Sequence, residues 1–151
     1  MDMNLRNELQ AEYTMLQSQY EAFDARALTI KSWSAPLLGG TIGVGLKENS
    51  IALVSAAVVV ALCLWLLEAI WKSFQYCYTD RIKLIEAWFR GEHVDSLAPF
   101  QIFTAWGEVW HRYYQHPKSL FPILHQRFVC LPYLPLCLLG AMVILLLARA
   151  R

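Results

Sequence analysis

The run WSAPLLGGTIGVGL (residues 33–46), KENS (47–50) and IALVSAAVVVALCLWLL (51–67) decides the fold of this 151-residue chain. Two apolar arms flank four polar residues, and the second arm carries seventeen residues without a charge. At a rise of about 1.5 Å per residue that arm covers about 25 Å, close to the roughly 30 Å hydrocarbon core of a bilayer. The pattern predicts a membrane hairpin that turns at 47–50. Its first arm is shorter, reaching only about 21 Å, so a crossing needs residues from Leu28 onward or a thinned bilayer. Beyond the second arm, Leu67, Trp71, Phe74, Tyr78, Ile82, Ile85 and Phe89 continue an apolar stripe at spacings of three and four. That spacing predicts one uninterrupted rod that crosses the membrane and leaves it.

Composition agrees with a membrane chain, since 57% of the residues are hydrophobic and only 17% are charged. Residues 128–148 form a third charge-free run that ends at Arg149, and we read it as a third span. Residues 1–10 have no basic start followed by an apolar core, so no cleavable signal peptide is expected. A net charge of +1 with scattered basic residues gives no footprint for nucleic acid, and no such binding is expected. Cys63, Cys77, Cys130 and Cys137 lie in or beside apolar runs without C-x-x-C spacing, which suits small buried hydrophobes better than a disulfide or metal site.

Basic residues set the expected orientation. Arg26 and Lys31 precede span one, Lys47 alone occupies the hairpin loop, and Lys72, Arg81, Lys83, Arg90, Arg112, Lys118 and Arg127 lie between spans two and three. The positive-inside tendency puts the N-terminus and the middle segment in the cytoplasm and the loop outside. A full third span puts the C-terminus outside; a re-entrant or surface helix at 128–148 returns it to the cytoplasm.

Before the membrane, Leu9, Leu16, Phe23 and Ile30 repeat every seven residues, with Tyr13, Tyr20 and Ala27 as the second register. This heptad seam predicts a helix over 4–32. It fits either packing back on the rod or a subunit coiled coil, with tyrosines at the a positions weakening an isolated parallel dimer. Gly91 suits a C-cap for the rod, and Asp95 or Ser96 suits an N-cap for a helix with Pro99 in its first turn. In that helix Phe100, Phe103, Trp106, Trp110, Tyr113 and Tyr114 recur near helical spacing. It fits an interfacial helix under the bilayer and a packing face against the rod equally well. Pro117, Pro122, Pro132 and Pro135 predict a bent entry to span three.

The expected architecture is therefore an all-α integral membrane protein in five segments. They are a cytoplasmic heptad helix (1–32), a two-span hairpin (33–71), a cytoplasmic extension (72–91), an amphipathic, partly interfacial segment (92–127) and a third transmembrane helix (128–148).

Catalytic patterns are missing from the sequence. The four histidines form no i,i+4 pair, and there is no H-E-x-x-H, P-loop or G-x-S-x-G. No enzyme activity, catalytic residue, cofactor or metal is expected. The informative residues lie at the membrane instead. Gly39 and Gly43 form a G-x-x-x-G pair on span one, with Gly40 and Gly45 beside it, and Ala52/Ala56 and Ala57/Ala61 give small residues four apart on span two. Small side chains let helices approach closely where lipid offers no hydrophobic gain. One small face suffices for the hairpin, and the surplus face points to a homo-oligomer. Lys31 and Glu68 lie at depths that differ by roughly 3 Å when counted from the turn. They fit a salt bridge fastening the hairpin, snorkelling side chains, or a charged ring at a cation-favouring pore mouth, the salt bridge weighing about twice the ring. Trp33, Trp71, Trp106 and Trp110 are the candidate interface anchors.

The order of elements and the segment YEAFDARALTIKSWS (20–34) before a tight hairpin and a long exit helix resemble the SLATT-like two-transmembrane effectors of bacterial conflict systems. The resemblance covers roughly residues 5 to 90. It implies a protein of the bacterial inner membrane, antiviral in role, that disrupts the bilayer as a pore when a sensor protein encoded nearby detects phage or a nucleotide signal. It brings no catalytic residues with it. The aromatic helix and the third span depart from that pattern. The expected function is an oligomeric effector that permeabilises the membrane and is gated by its cytoplasmic helices. The alternative is a non-catalytic accessory or scaffold subunit of a larger membrane complex; a holin is disfavoured by about 55 residues between spans two and three.

Overall fold

The computed structural model describes residues 3–92 and 97–150, and among these every regular element is a helix. They are α1 (Met3–Lys47), α2 (Ile51–Tyr76), α3 (Thr79–Phe89), α4 (Ile102–Val109) with a π-helical turn at Trp110–Tyr114, a 3-10 turn at Pro117–Ser119, α5 (Leu120–Leu124), α6 (Arg127–Cys130) and α7 (Tyr133–Arg149). Four boundaries differ from expectation. No break separates the heptad helix from span one, because α1 runs on past Ser32 as a single helix. The rod is interrupted at Cys77 and Tyr78, whose N–H groups donate to Phe74 and Gln75, three residues back instead of four. The aromatic helix starts at Ile102 and not near Pro99, and its expected caps Asp95 and Ser96 lie outside the described residues. The third apolar helix starts at Tyr133 instead of Phe128, because Leu131 before Pro132 is extended and α6 ends there.

The hairpin turn is built from the polar residues the sequence supplies. Asn49 takes φ +50, Ser50 N–H donates to Gly45 O at 2.8 Å and Asn49 N–H to Leu46 O, closing α1 with a Schellman motif. The Ser50 hydroxyl then accepts from Leu53 N–H, an N-cap for α2. Gly91 closes α3 in the same manner at φ +80, with Glu92 N–H on Ala87 O and Gly91 N–H on Trp88 O.

The chain divides into two compact units, residues up to 25 with 71–120, and 26–70 with 121 onward. In the first, Leu9 and Leu16 are fully buried with Ile82, Ile85 and Leu97, flanked by Tyr13, Tyr20, Tyr78 and Trp88. The heptad seam is thus an intrachain packing face, at least through Leu16. Within the seam the Tyr13 hydroxyl donates to Glu86 Oε1 at 3.1 Å, which raises its pKa, and the backbone carbonyl of Tyr20 accepts from Gln75. Trp106 and Trp110 stack at 5.7 Å and pack on Phe74, and Trp106 Nε1 donates to Phe74 O. Of the two readings of the aromatic helix, the packing face describes these tryptophans, while Phe103 remains exposed. Burial, and secondarily Asp80, pushes the Cys77 thiol up to about 12, so it stays protonated.

In the second unit Leu38, Ile42, Val54, Ala57, Ala61, Val143 and Leu147 form one core from α1, α2 and α7. Outward from it, Leu37, Val44, Val59, Leu62, Leu66, Leu138, Met142 and Leu145 are exposed. Along α2 and α3 (Ile51–Phe89) the most apolar window has mean hydropathy 2.5 and is only 17% buried, so among the described residues one helical stretch is long and apolar enough to cross a membrane. Cys63 lies on this exposed surface and is not buried as expected.

Candidate functional site

Within the 26–70 and 121–150 unit, polar side chains gather at one place. Lys31 and Ser34 share a face of α1, three residues apart. Lys31 Nζ lies 2.6 Å from Glu68 Oε1 on α2, and the two side chains are only 15% and 11% exposed. The same ammonium donates to the carbonyl of Phe128 in α6 and sits 5.9 Å from the Tyr133 ring centre. Tyr133, the first residue of α7, is fully buried beside Glu68 and Ser34. One lysine thereby ties α1, α2 and the entry to α7 together.

This arrangement follows the depth match read from the sequence and favours the fastening pair over an open ring, because the Glu68 charge is met inside one subunit. Tyr133 and the Phe128 carbonyl had no counterpart in the sequence analysis. The prolines announced a bend there but not which backbone oxygen it would turn inward.

The small residues separate into two groups. Ala57 and Ala61 are core. A side chain at Gly39 would make ordinary contact with Leu136, whereas at Gly40 and Gly43 it would meet nothing within 4 Å, and Ala52 and Ala56 are exposed. Close approach occurs elsewhere: a Cβ on Gly45 would stand 2.6 Å from Val54 Cγ2, and one on Gly140 2.3 Å from Val58 Cγ2. Gly140→Ala is therefore expected to destabilise by about 1–3 kcal/mol through overpacking. Gly43→Ala should gain up to about 1 kcal/mol from helix propensity. Thermal unfolding in detergent, followed by circular dichroism, checks the pair, and equal shifts for both would contradict the assignment. Trp33 is exposed on α1, while Trp71 and Phe23, both of the 3–25 and 71–120 unit, have ring centres 5.1 Å apart.

A second buried pair lies in the 3–25 and 71–120 unit. Arg81 meets Glu12 through two bonds, Nε to Oε1 at 2.8 Å and a terminal nitrogen to Oε2 at 2.9 Å, with exposures of 6% and 0%. Arg81 also donates to Ala98 O, and Glu12 Oε2 accepts from Phe100 N–H, both at 2.7 Å. The sequence did signal this pair. Glu12 lies three after Leu9 and four before Leu16, and Arg81 three after Tyr78 and four before Ile85, so both charges sit on apolar stripes.

Among the described residues no group of three or more His, Cys, Asp or Glu side chains is placed to hold a metal ion. Comparison with protein-family models, curated proteins and solved structures gives no match.

Proposed function

We propose that the chain is a multi-pass protein of the bacterial inner membrane that assembles with copies of itself and perturbs the bilayer, its N-terminus and middle segment facing the cytoplasm. The observation that carries the reading is the second unit: three helices with apolar side chains outward and a charge pair turned inward. Water would not sustain so much exposed apolar surface, and lipid covers it without cost. The continuity of α1 supplies the length span one lacked, since residues 28–46 as helix reach about 28 Å. Helix α7, seventeen residues long, reaches about 25 Å and completes three spans with modest thinning.

Gly40, Gly43, Ala52 and Ala56 offer exposed small-residue surface for a homo-oligomer. The Lys31–Glu68 pair acts as a closed-state latch instead of a permanent pore lining, and a sensor encoded nearby, as in the SLATT-like systems, releases it through the cytoplasmic helices. Induction in bacteria, with membrane potential followed by a voltage-sensitive dye, tests this. Depolarisation and growth arrest are expected, and an unchanged potential with and without phage challenge would sink the reading. The accessory-subunit reading uses the same exposed faces; it predicts cross-links to a larger partner in place of a homo-oligomer ladder.

A further inference from the structure

Segment 121–131 turns its largest apolar side chains outward. Phe128 is 84% exposed, Phe121 67% and Leu131 56%, while Ile123, Val129 and Tyr133 between and after them are buried. The segment is fastened by its backbone as well as by packing. Trp65 Nε1 donates to Leu124 O at 3.1 Å, Lys31 Nζ to Phe128 O, and Cys130 Sγ to Leu124 O. The Trp65 bond, and the Lys31 bond through that residue's pair with Glu68, fix its level along α2, because Trp65 and Glu68 flank the end of the uncharged run at Leu67, while the Cys130 bond closes the segment on itself. Exposed Arg127 stands beside Phe128, and Trp33, two residues from Lys31 along α1, is exposed as well.

We infer that residues 121–131 form a membrane-surface anchor that beds Phe121, Phe128 and Leu131 at the boundary between headgroups and acyl chains and holds a phospholipid phosphate on Arg127. The inference rests on the membrane reading above. A phospholipid is the occupant that matches all three features: phenylalanine and leucine are side chains that interfacial segments bed at that layer, the guanidinium matches phosphate geometry, and the level coincides with the end of the hydrocarbon run. Burying Phe121, Phe128 and Leu131 against a flat lipid layer also needs no groove. Tyr133 and Lys31 lie behind the segment, so the anchor and the latch share α6.

The test places p-cyanophenylalanine at position 128, and separately at position 145 on the exposed face of α7, in the full chain in nanodiscs of phosphatidylcholine and phosphatidylglycerol. The infrared nitrile band is expected to shift to its desolvated position at both sites. A desolvated probe at 145 with a hydrated probe at 128 overturns the anchor and leaves the membrane reading standing. Hydrated probes at both sites overturn the membrane reading and the anchor with it. A band at 128 that becomes hydrated when the complex is diluted to monomer in the same nanodiscs assigns the face to a second copy and overturns the anchor. For the phosphate, native mass spectrometry should show fewer retained phospholipids on Arg127→Gln than on the unaltered chain, with Arg127→Lys between them. Equal retention by all three overturns the headgroup site.

Discussion

Glu12→Ala is expected to lower the unfolding free energy by about 3–5 kcal/mol, because it leaves the Arg81 guanidinium buried without its counter-charge. The loss is compounded locally. Phe100 sits at φ +59, a conformation costly for a residue with a Cβ, and its N–H is bonded to Glu12. Removing the carboxylate therefore frees both the cation and the start of the segment before α4. Arg81→Met should cost a similar amount by the converse route, since it strands the Glu12 carboxylate. The double substitution Glu12→Met with Arg81→Met is expected to recover most of the loss, because a buried pair replaced by apolar side chains of similar volume is often neutral. Chemical denaturation in detergent gives the three energies, and hydrogen exchange over 97–101 reads the local release. Single substitutions that each cost under about 1 kcal/mol would place the pair with solvated surface bridges.

The pair also shows where the sequence is legible and where it is not. The hairpin turn and the end of α3 could be read because Asn49 and Ser50 at the one and Gly91 at the other perform local tasks that depend on neighbours in the chain. The depth match of Lys31 with Glu68 could be read because two antiparallel helices joined by a short turn have fixed register. The rod, by contrast, kept its apolar stripe through Tyr78 while its backbone tightened at Cys77, and periodicity is blind to a change of one hydrogen bond. Glu12 and Arg81 are charged residue types, yet their helical phase puts them among Leu9, Leu16, Tyr78 and Ile85. Phase, more than residue type, carried that information. The G-x-x-x-G pair misled in the opposite direction: Gly43 is open, and the tight helix crossings fall at Gly45 and at Gly140, which lies outside any small-residue repeat. The partner of Gly140 is Val58, eighty-two positions away, and nothing local encodes it.

Lys31→Met should produce the largest functional change. It removes the counter-charge from a Glu68 carboxylate that is 11% exposed and frees the Phe128 carbonyl in the same step. Losing one partner of a buried pair costs about 3–5 kcal/mol, and about 1.4 kcal/mol is tenfold in an equilibrium. On the function proposed above, a closed state held by this pair should lose about 10²-fold or more of its advantage, and induction should depolarise cells without any trigger. Glu68→Gln should act more weakly, since the amide oxygen can still accept from Lys31 and the bond to Phe128 O survives. The double variant Lys31→Met with Glu68→Met separates charge from packing. If the stranded carboxylate drives opening, the double variant is quieter than Lys31→Met; if the freed Phe128 carbonyl drives it, the two depolarise alike. Dye-reported potential at matched membrane abundance decides between them. A Lys31→Met chain that reaches the membrane and leaves the potential intact would show that the pair fastens the hairpin without gating it.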